Sequence, residues 1–448
     1  MRTNFGKIGV ILATAGSAVG LGNVWRFPTM AGQDGGSAFI IIYLLFTLML
    51  GVPGMIVEFV VGRHGQSNAF RSYASSSRYK WWGIVGAMGV LSSSMILGFY
   101  SVVAGWCIYY LFASLLGHTL GDAGYCADMF SRLTTDAVTP AVLSVVFVFL
   151  TYFIVSRGVK KGIEKASNFL MPLLFLLLVI LVVASCMLPG AVRGVEFLLK
   201  PDFSKVTSRV CLDAMGQAFF SLSLGTACLC TYASYFSRQT NLGKSALQIA
   251  GIDVLIAILS GLIIFPAAFS VGVSPDSGPS LIFITLPNVF QQAFGSLPVV
   301  GYVISIIFYA LLSLAALTST ISMHEIGTLF FAEEMNMSRS KAAVFITILC
   351  SVFGVLCSWS LGAHPEISLF GKSLFDCFDF VTGQILLPLG GFLTCLLVGW
   401  FVPMDIVRSE FTNDGTVMKS VFPIFLWTVR IVAPICILFI FLNQFGLI

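Results

Sequence analysis

The sequence predicts an all-α polytopic membrane protein with eleven transmembrane helices. Ten of them form two inverted five-helix repeats whose first and sixth helices are broken. Three observations predict this. Of 448 residues only 10% are charged while 57% are hydrophobic, with 41 Phe; a soluble domain has roughly 25% and 45–50%. Apolar runs long enough to cross hydrocarbon, roughly 20 residues in a helix, recur along the whole chain. Two of those runs are interrupted at mid-depth by small and polar residues.

The same figures exclude other classes. With 24 basic and 20 acidic residues, the net charge of +4 is spread too thinly for a phosphate footprint, so nucleic acid is no partner. Most of the 11 Cys lie inside apolar runs (Cys107, Cys186, Cys350, Cys395, Cys436), where they act as small hydrophobes and not as a disulfide framework. No Cys/His spacing resembles a zinc site. The four His (His64, His118, His324, His364) are scattered, without the convergent groups an enzyme needs. A passive channel would show polar rows along several helices, whereas polarity here is concentrated at two breaks.

In order, the spans read about 8–30, 38–62, 84–116, 140–156, 166–188, 210–236, 246–271, 298–331, 341–360, 373–402 and 421–446. The first outlasts a signal-peptide core and shows no processing site, so it is expected to stay in the mature protein. Lys and Arg in the loops orient the rest. With the N-terminus inside, the cytoplasmic loops carry Arg2, Lys7, Arg63, Arg71, Arg78, Lys80, Arg157, Lys160, Lys161, Lys165, Arg238, Lys244, Arg339, Lys341, Arg408 and Lys419. The external loops carry Arg132, Arg193, Lys200, Lys205, Arg209 and Lys372, four of these within 189–209. The domain reading is residues 1–190 for the first repeat (spans 1–5), 191–402 for the second (spans 6–10) and 403–448 for the eleventh span. Between Val271 and Pro298 no Lys or Arg occurs, and the apolar stretch Leu281–Phe290 is too short to span. It reads as a short helix in an extracellular lid near 275–292, or as a long interfacial loop.

The first break reads Gly16-Ser17-Ala18-Val19-Gly20-Leu21-Gly22-Asn23, followed by Trp25-Arg26-Phe27-Pro28, and the second reads Ser221-Leu222-Ser223-Leu224-Gly225-Thr226. Glycines and small polar residues weaken the helix at a depth where lipid otherwise enforces one. Unpaired backbone is tolerated there only where it lines a cavity or binds something. Taken alone, Gly16-x-x-x-Gly20 favours close helix packing. A second break at the corresponding place of the other half turns the reading toward the binding site of a secondary transporter.

From Gly20-Leu21-Gly22-Asn23-Val24-Trp25-Arg26-Phe27-Pro28 and Asp34-Gly35-Gly36-Ser37-Ala38-Phe39 onward, the chain strongly resembles the neurotransmitter:sodium symporter family, including its bacterial amino-acid transporters of eleven spans. Gly216-Gln217-Ala218-Phe219-Phe220-Ser221-Leu222-Ser223-Leu224-Gly225, Thr231-Tyr232-Ala233-Ser234-Tyr235 and Leu317-Thr318-Ser319-Thr320 extend the likeness over residues 5–402. The resemblance implies two Na⁺ ions and no enzyme activity. Sodium is a hard cation that needs a cage of oxygens. Site 1 would use Ala18, Asn23, Ser221 and Asp253 with the substrate carboxylate. Site 2 would use Gly16, Val19 and Ala315 with the hydroxyls of Thr318 and Ser319, which by themselves read as helix back-bonding.

Asp253 departs from the family, where Asn is usual and chloride-dependent members carry a Ser one turn later; here that residue is Ala257. A lone Asp in a span is a functional residue by default. An ionised Asp253 against the first sodium would supply the negative charge that chloride supplies elsewhere, so no chloride is expected; a protonated, Asn-like Asp is the alternative.

Gly20 matches the position where amine-transporting relatives carry an Asp, so the substrate is expected to bring its own carboxylate, as an α-amino acid does. Its carboxylate would meet the amides near Leu21 and Gly22 at a half-helix N-terminus and the Tyr100 hydroxyl. Its ammonium would meet oxygens near Ser17, Ala18, Phe220 and Ser221. The side-chain pocket would be Ile96, Phe220, Ser223, Thr226, Ser319 and Met323, mainly apolar and with an adaptable Met. This fits a hydrophobic or aromatic L-amino acid, and Thr226 stands where a Phe is found in the leucine-transporting relative. Another small zwitterion, or a non-transporting amino-acid sensor, uses the same cage. Arg26 and Asp379 would gate the outside, with Asp376 as rival, above Tyr100 and Phe220; Arg2 and Glu333, with Glu334 as rival, would latch the inside. Gly162 and Pro172 match the family's Gly-x9-Pro pattern in span 5, where a structural kink explains the Pro equally well. A bacterial plasma membrane with the N-terminus cytoplasmic is the expected location.

Overall fold

In the computed structural model, residues 6–272, 281–294 and 297–444 are described. Eight helices among them are long and apolar enough to cross a membrane. These are span 2 (Ser37–Gly65), span 3 (Lys80–Leu115), span 5 (Val159–Cys186), span 7 (Leu242–Ser270), span 8 (Pro298–Glu334), span 9 (Arg339–Ser360), span 10 (Leu374–Phe401) and span 11 (Phe422–Asn443). Span 4, Thr139–Val155, carries Pro140 in its first turn, where its fixed φ suits the helix. Spans 1 and 6 are the broken ones. Each of the eleven sequence intervals falls on one of these segments, so the hydrophobic pattern marks the true spans.

The bundle places the loops at 66–79, 156–158, 234–241, 335–338 and 402–421 on the face from which span 1 starts, here the N-terminal face. Most of the Lys and Arg lie on it. Trp81, Trp400 and Trp427 are exposed near it, as expected for an aromatic belt at a membrane interface. A buried cluster ties that face together: Arg63 Nε donates to Glu410 at 2.5 Å and Arg63 Nη1 to the Thr240 carbonyl at 2.5 Å, while Arg238 reaches Glu410 at 2.7 Å. On the opposite face the segment Leu281–Phe294 is helical. It is held by Tyr110 and Tyr309, which donate to the Phe283 and Ile282 carbonyls at 3.0 Å each. The short-helix alternative is therefore the one observed for 281–294; residues 275–280 of the expected lid lie outside the described residues.

The first break bends span 1 by 54° between Ile8–Ala18 and Gly22–Gln33. Val19 takes an extended conformation, and residues 22–26 resume with the wide turn of a π-helix, a geometry that recurs at functional sites. In span 6 the helix Ser208–Ser221 stops and Cys228–Ala233 restarts. Between them Ser223, Gly225 and Ala227 all have positive φ, at 54°, 82° and 60°. Gly225 is required twice over: its φ favours glycine, and a Cβ there would lie 2.1 Å from the Leu387 carbonyl oxygen. Gly162 likewise faces the Ile154 carbonyl at 2.0 Å from an added Cβ, so close approach between spans 4 and 5 accounts for this glycine, while Pro172 lies inside the helix of span 5.

Asp34 lies in the short loop between spans 1 and 2 and is nearly buried. Burial pushes its carboxyl up to about 6, with Asp213 reinforcing the shift and Arg209 opposing it.

Gly225→Ala should lower stability by about 2–3 kcal/mol through strain and overlap. Gly216→Ala, where a Cβ meets nothing within 4 Å, should raise it by about 0.5–1 kcal/mol; thermal unfolding of the purified protein in detergent checks both. Because Asp34 holds its proton more tightly in the folded chain, its contribution to stability should fall as pH rises from about 4 to about 6 and stay low above that. The unfolding midpoint of Asp34→Asn should lack that part of the pH dependence, and an identical pH profile in both proteins would contradict the assignment.

Candidate ion and substrate site

The two breaks meet. At the first, Asn23 is fully buried. Its Oδ1 accepts from the Gly20 amide at 3.1 Å, and its Nδ2 donates to Ser221 Oγ at 3.3 Å and to Asp253 Oδ1 at 2.7 Å. The Asp253 Oδ2 atom accepts from Ser221 Oγ at 2.8 Å and from Tyr43 Oη at 3.0 Å. A carboxylate with 0% exposure is thus held by three donors from spans 1, 2 and 6, and among the described residues no cationic side chain pairs with it. Ala257, one turn on, is also buried and contributes no side-chain donor. Gln217, one turn before Ser221, is buried with neither end of its amide partnered among the described residues.

A second oxygen cluster lies on the other side of span 1. The Val19 carbonyl, freed by the break, accepts from Thr318 Oγ1 and Ser319 Oγ at 3.2 Å each, and Thr318 Oγ1 also reaches the Ala315 carbonyl at 2.9 Å. Gly16 adjoins it, since a Cβ there would be 3.5 Å from Thr318 Cβ. The hydroxyl of Thr318 therefore does both things open to it, back-bonding within span 8 and bridging to the broken helix. The first cluster offers carboxylate, amide and hydroxyl oxygens and the second carbonyl and hydroxyl oxygens, the kind of donor set a hard monovalent cation needs.

Between the clusters, Tyr100 Oη accepts from the Leu21 amide at 3.0 Å, so the groups expected to share a substrate carboxylate are neighbours. An added Cβ on Gly20 would lie 2.3 Å from Ser319 Oγ and 2.9 Å from Tyr100 Oη. No side chain, and so no carboxylate, fits at that position without displacement. Gly22 faces the Phe220 ring at 3.4 Å from an added Cβ, and Ser223 Oγ reaches the Ser17 carbonyl at 3.4 Å. Ile96 is buried on span 3. Thr226 uses its hydroxyl locally, donating to the Ser223 carbonyl at 2.7 Å and accepting from the Cys228 amide at 3.2 Å, which starts the second half of span 6. Met323 packs against Leu97, Val148, Ile346 and Cys350, which sets it among spans 3, 4 and 9.

The expected outer ion pair is not formed here. Arg26 lies with its guanidinium carbon 4.1 Å from the centroid of the Phe220 ring, and it makes no ion pair with Asp379 among the described residues. A desolvated aromatic face is an adequate partner for a guanidinium. The rival Asp376 accepts from Ser373 Oγ at 2.7 Å, at the start of span 10. On the N-terminal face, Arg2 lies outside the described residues. Glu333 Oε2 accepts from the Asn68 amide at 2.7 Å, and Glu334 meets Arg71 at 2.7 Å, so both acids bind the linker between spans 2 and 3. Deeper, Glu325 pairs with Arg339 and accepts from Tyr235 at 2.6 Å.

Two residues escaped the sequence reading. Tyr43 completes the Asp253 cluster, and Glu58, on span 2 and 1% exposed, accepts from the amides of Gly225 at 2.7 Å and Cys230 at 3.3 Å. A lone acid inside an apolar span was the available signal for Glu58; it went unused because no motif surrounds it.

A helical bundle crossing the membrane, with two interrupted spans facing one another across oxygen-lined clusters at mid-depth, defines a secondary transporter of the broken-helix type. The chain belongs to the sodium:neurotransmitter symporter family, whose sequence profile matches residues 2–138 and 137–447. It is 39% identical to the uncharacterized sodium-dependent transporter YhdH of Bacillus subtilis, over 99% of this chain and 97% of that one. A second uncharacterized sodium-dependent transporter, from Haemophilus influenzae, is 33% identical over 98% of this chain and 97% of its own. Among solved structures, MhsT in complex with L-phenylalanine superposes with a TM-score of 0.89 at 38% identity, covering 99% of this chain and all of that one. As a member of this family the chain is a sodium symporter.

Glu58→Gln keeps the shape but replaces one acceptor oxygen with a donor, leaving a buried amide of the second break unpaired. It should lower stability by about 1–3 kcal/mol, read as a lower unfolding midpoint in detergent. An unchanged midpoint would remove Glu58 from the support of the break.

Proposed function

We propose that this protein imports a hydrophobic or aromatic L-amino acid together with two sodium ions by alternating access, without chloride. Its N-terminal face would lie in the cytoplasm at a bacterial plasma membrane. The observation that carries this reading is the meeting of the two breaks at a buried carboxylate, Asp253, that has three hydrogen-bond donors and no cationic partner among the described residues. A buried ionised group is stable only when its charge is balanced, and the vicinity of Asn23, Ser221 and the Ala18 end of the first half-helix supplies oxygens for a sodium that would balance it. An anion beside Asp253 would face that carboxylate, which argues for chloride independence although Gln217 could donate to one.

The second sodium would rest on Gly16, Val19, Ala315, Thr318 and Ser319. The closeness of Gly20 to Ser319 and Tyr100 supports a substrate that carries its own carboxylate, placed at Leu21, Gly22 and Tyr100. The complex of MhsT with L-phenylalanine supports an aromatic or similarly apolar side chain, received by Ile96, Phe220, Ser223, Thr226, Ser319 and Met323. Residues 1–190 and 191–402 would act as the two repeats, with 403–448 outside them and 275–292 as lid. Arg26, Tyr100 and Phe220 would close over the substrate, with Arg26 passing from the Phe220 face to Asp379 as the outer path changes shape. Arg2 and Glu333 would latch the inner end. Two sodium ions entering with a zwitterion move two charges, about 4.6 kcal/mol per 100 mV at about 2.3 each, and each tenfold sodium gradient adds about 1.4 kcal/mol per ion. Accumulation over several decades is within reach of that drive.

In proteoliposomes, labelled phenylalanine or leucine should accumulate only with an inward sodium gradient, and replacing chloride by gluconate should leave the rate unchanged. Asp253→Asn should weaken sodium activation by about tenfold or more, one ion contact being worth at least about 1.4 kcal/mol. Uptake that collapses in gluconate would overturn the chloride assignment, and uptake equally supported by potassium or choline would overturn the sodium cage.

A further inference from the structure

Away from the central site, the packed spans 4 and 9 leave between them a groove of about 670 Å³. Val145, Phe149 and Tyr152 line one wall and Ile348, Val352 and Trp359 the other. The walls are mainly apolar, with the hydroxyls of Thr347 and Ser351 among them, and Phe149, Ile348 and Val352 are about half exposed. At about 1.5 Å of rise per residue, the wall from Val344 to Trp359 runs for roughly 22 Å, somewhat more than one leaflet of a hydrocarbon core about 30 Å thick.

The two ends of this groove differ in charge. At the N-terminal face, Arg339 ties the spans together by donating to the Val155 carbonyl at 3.1–3.3 Å, and its charge is taken by Glu325. Around that tie stand Arg157, Lys160, Lys161 and Lys341, all exposed and without an ion pair among the described residues. Lys341 is one turn beyond Val344, and Arg157 is five residues beyond Tyr152. At the far end the charges are mixed and not a basic cluster: Asp136 before span 4, with Arg132 one turn earlier, and Glu366 after span 9, beside His364 and followed by Lys372. There the Trp359 indole is fixed by donating to the Ala137 carbonyl at 2.8 Å.

We propose that this groove binds one anionic phospholipid. An acyl chain lies against Phe149, Ile348 and Val352, and the phosphate lies among Arg157, Lys160, Lys161 and Lys341. The mainly apolar walls select a chain, and the charge difference between the ends selects both the sign of the head group and its direction. A phosphocholine head lacks the net negative charge that these four cations favour. The assignment is independent of the amino acid carried, and its test does not use transport.

The full-length protein, delipidated in detergent and titrated with phosphatidylglycerol or phosphatidylcholine, is read by native mass spectrometry. One phosphatidylglycerol per chain should be retained, and phosphatidylcholine should not. Arg157→Gln combined with Lys160→Gln and Lys341→Gln should weaken retention by about a hundredfold, each basic group near an anionic head contributing about a factor of five. Ile348→Trp, a substitution at an exposed wall position, should abolish it by filling the groove while leaving the unfolding midpoint unchanged. Equal retention of the two lipids, or retention that survives the triple substitution, would overturn the head-group site. Retention that survives Ile348→Trp would overturn the groove. A photoreactive residue at position 348 should label lipid; labelling of a second copy of the chain would make the groove a protein interface and reject the proposal.

Discussion

Backbone groups that leave a helix in the middle of a membrane must find partners, and this requirement governs the arrangement of the whole molecule. From Leu222 to Ala227 the chain has no regular helix, and at Val19–Leu21 it loses its first one. Lipid offers nothing to these amides and carbonyls. The two breaks therefore have to be enclosed by other spans. The acid Glu58 from span 2 takes up the amides of the second break, and the hydroxyls of span 8 take up the Val19 carbonyl of the first. Spans 2, 3, 7 and 8 surround the breaks because they carry the partners.

This requirement also explains why polar residues in the central spans are not scattered. Asn23, Tyr43, Ser221 and Asp253 come from four different spans yet form one connected network. A network of this kind is strong only when every member is satisfied, and a partly satisfied one is worse than an apolar core. The Asp253 carboxyl has its hydrogen bonds but no cationic partner among the described residues. Its geometry is complete and its charge balance is open, a combination that a structural residue would not be expected to show.

Much of this was legible in the sequence. The eleven apolar runs fell on the observed spans because hydrocarbon thickness sets helix length almost independently of neighbours. The breaks were legible because Gly16, Gly20, Gly22 and Gly225 are costly where lipid enforces a helix. What stayed hidden depended on which faces meet. Tyr43 looks like any aromatic in an apolar run until span 2 turns it toward Asp253. The pairing of Arg63 with Glu410 joins residues far apart in the chain, across a bundle whose packing no periodicity reveals. The expected pair of Arg26 with Asp379 rested on the resemblance and on the need of an Arg in a span for a partner, and here the guanidinium lies over the Phe220 face.

Charge counting links the departure at position 253, an Asp, with the Gly at position 20. A chain with a carboxylate at both places would hold two negative charges against one sodium and an amine. A chain with neither would leave the charge of the first sodium to be balanced by some other group. With Gly20 and Asp253, on the proposed reading, the zwitterion is neutral by itself and the carboxylate balances the first sodium, so the loaded site closes without an anion. The second cluster, made of neutral oxygens only, then holds the one unbalanced charge. It lies beside the half of span 1 that ends at Ala18, where the C-terminal end of a helix dipole favours a cation. The asymmetry between an acidic and a neutral cage thus follows from where the chain carries a carboxylate, since both cages would draw on the C-terminal end of the same half-helix.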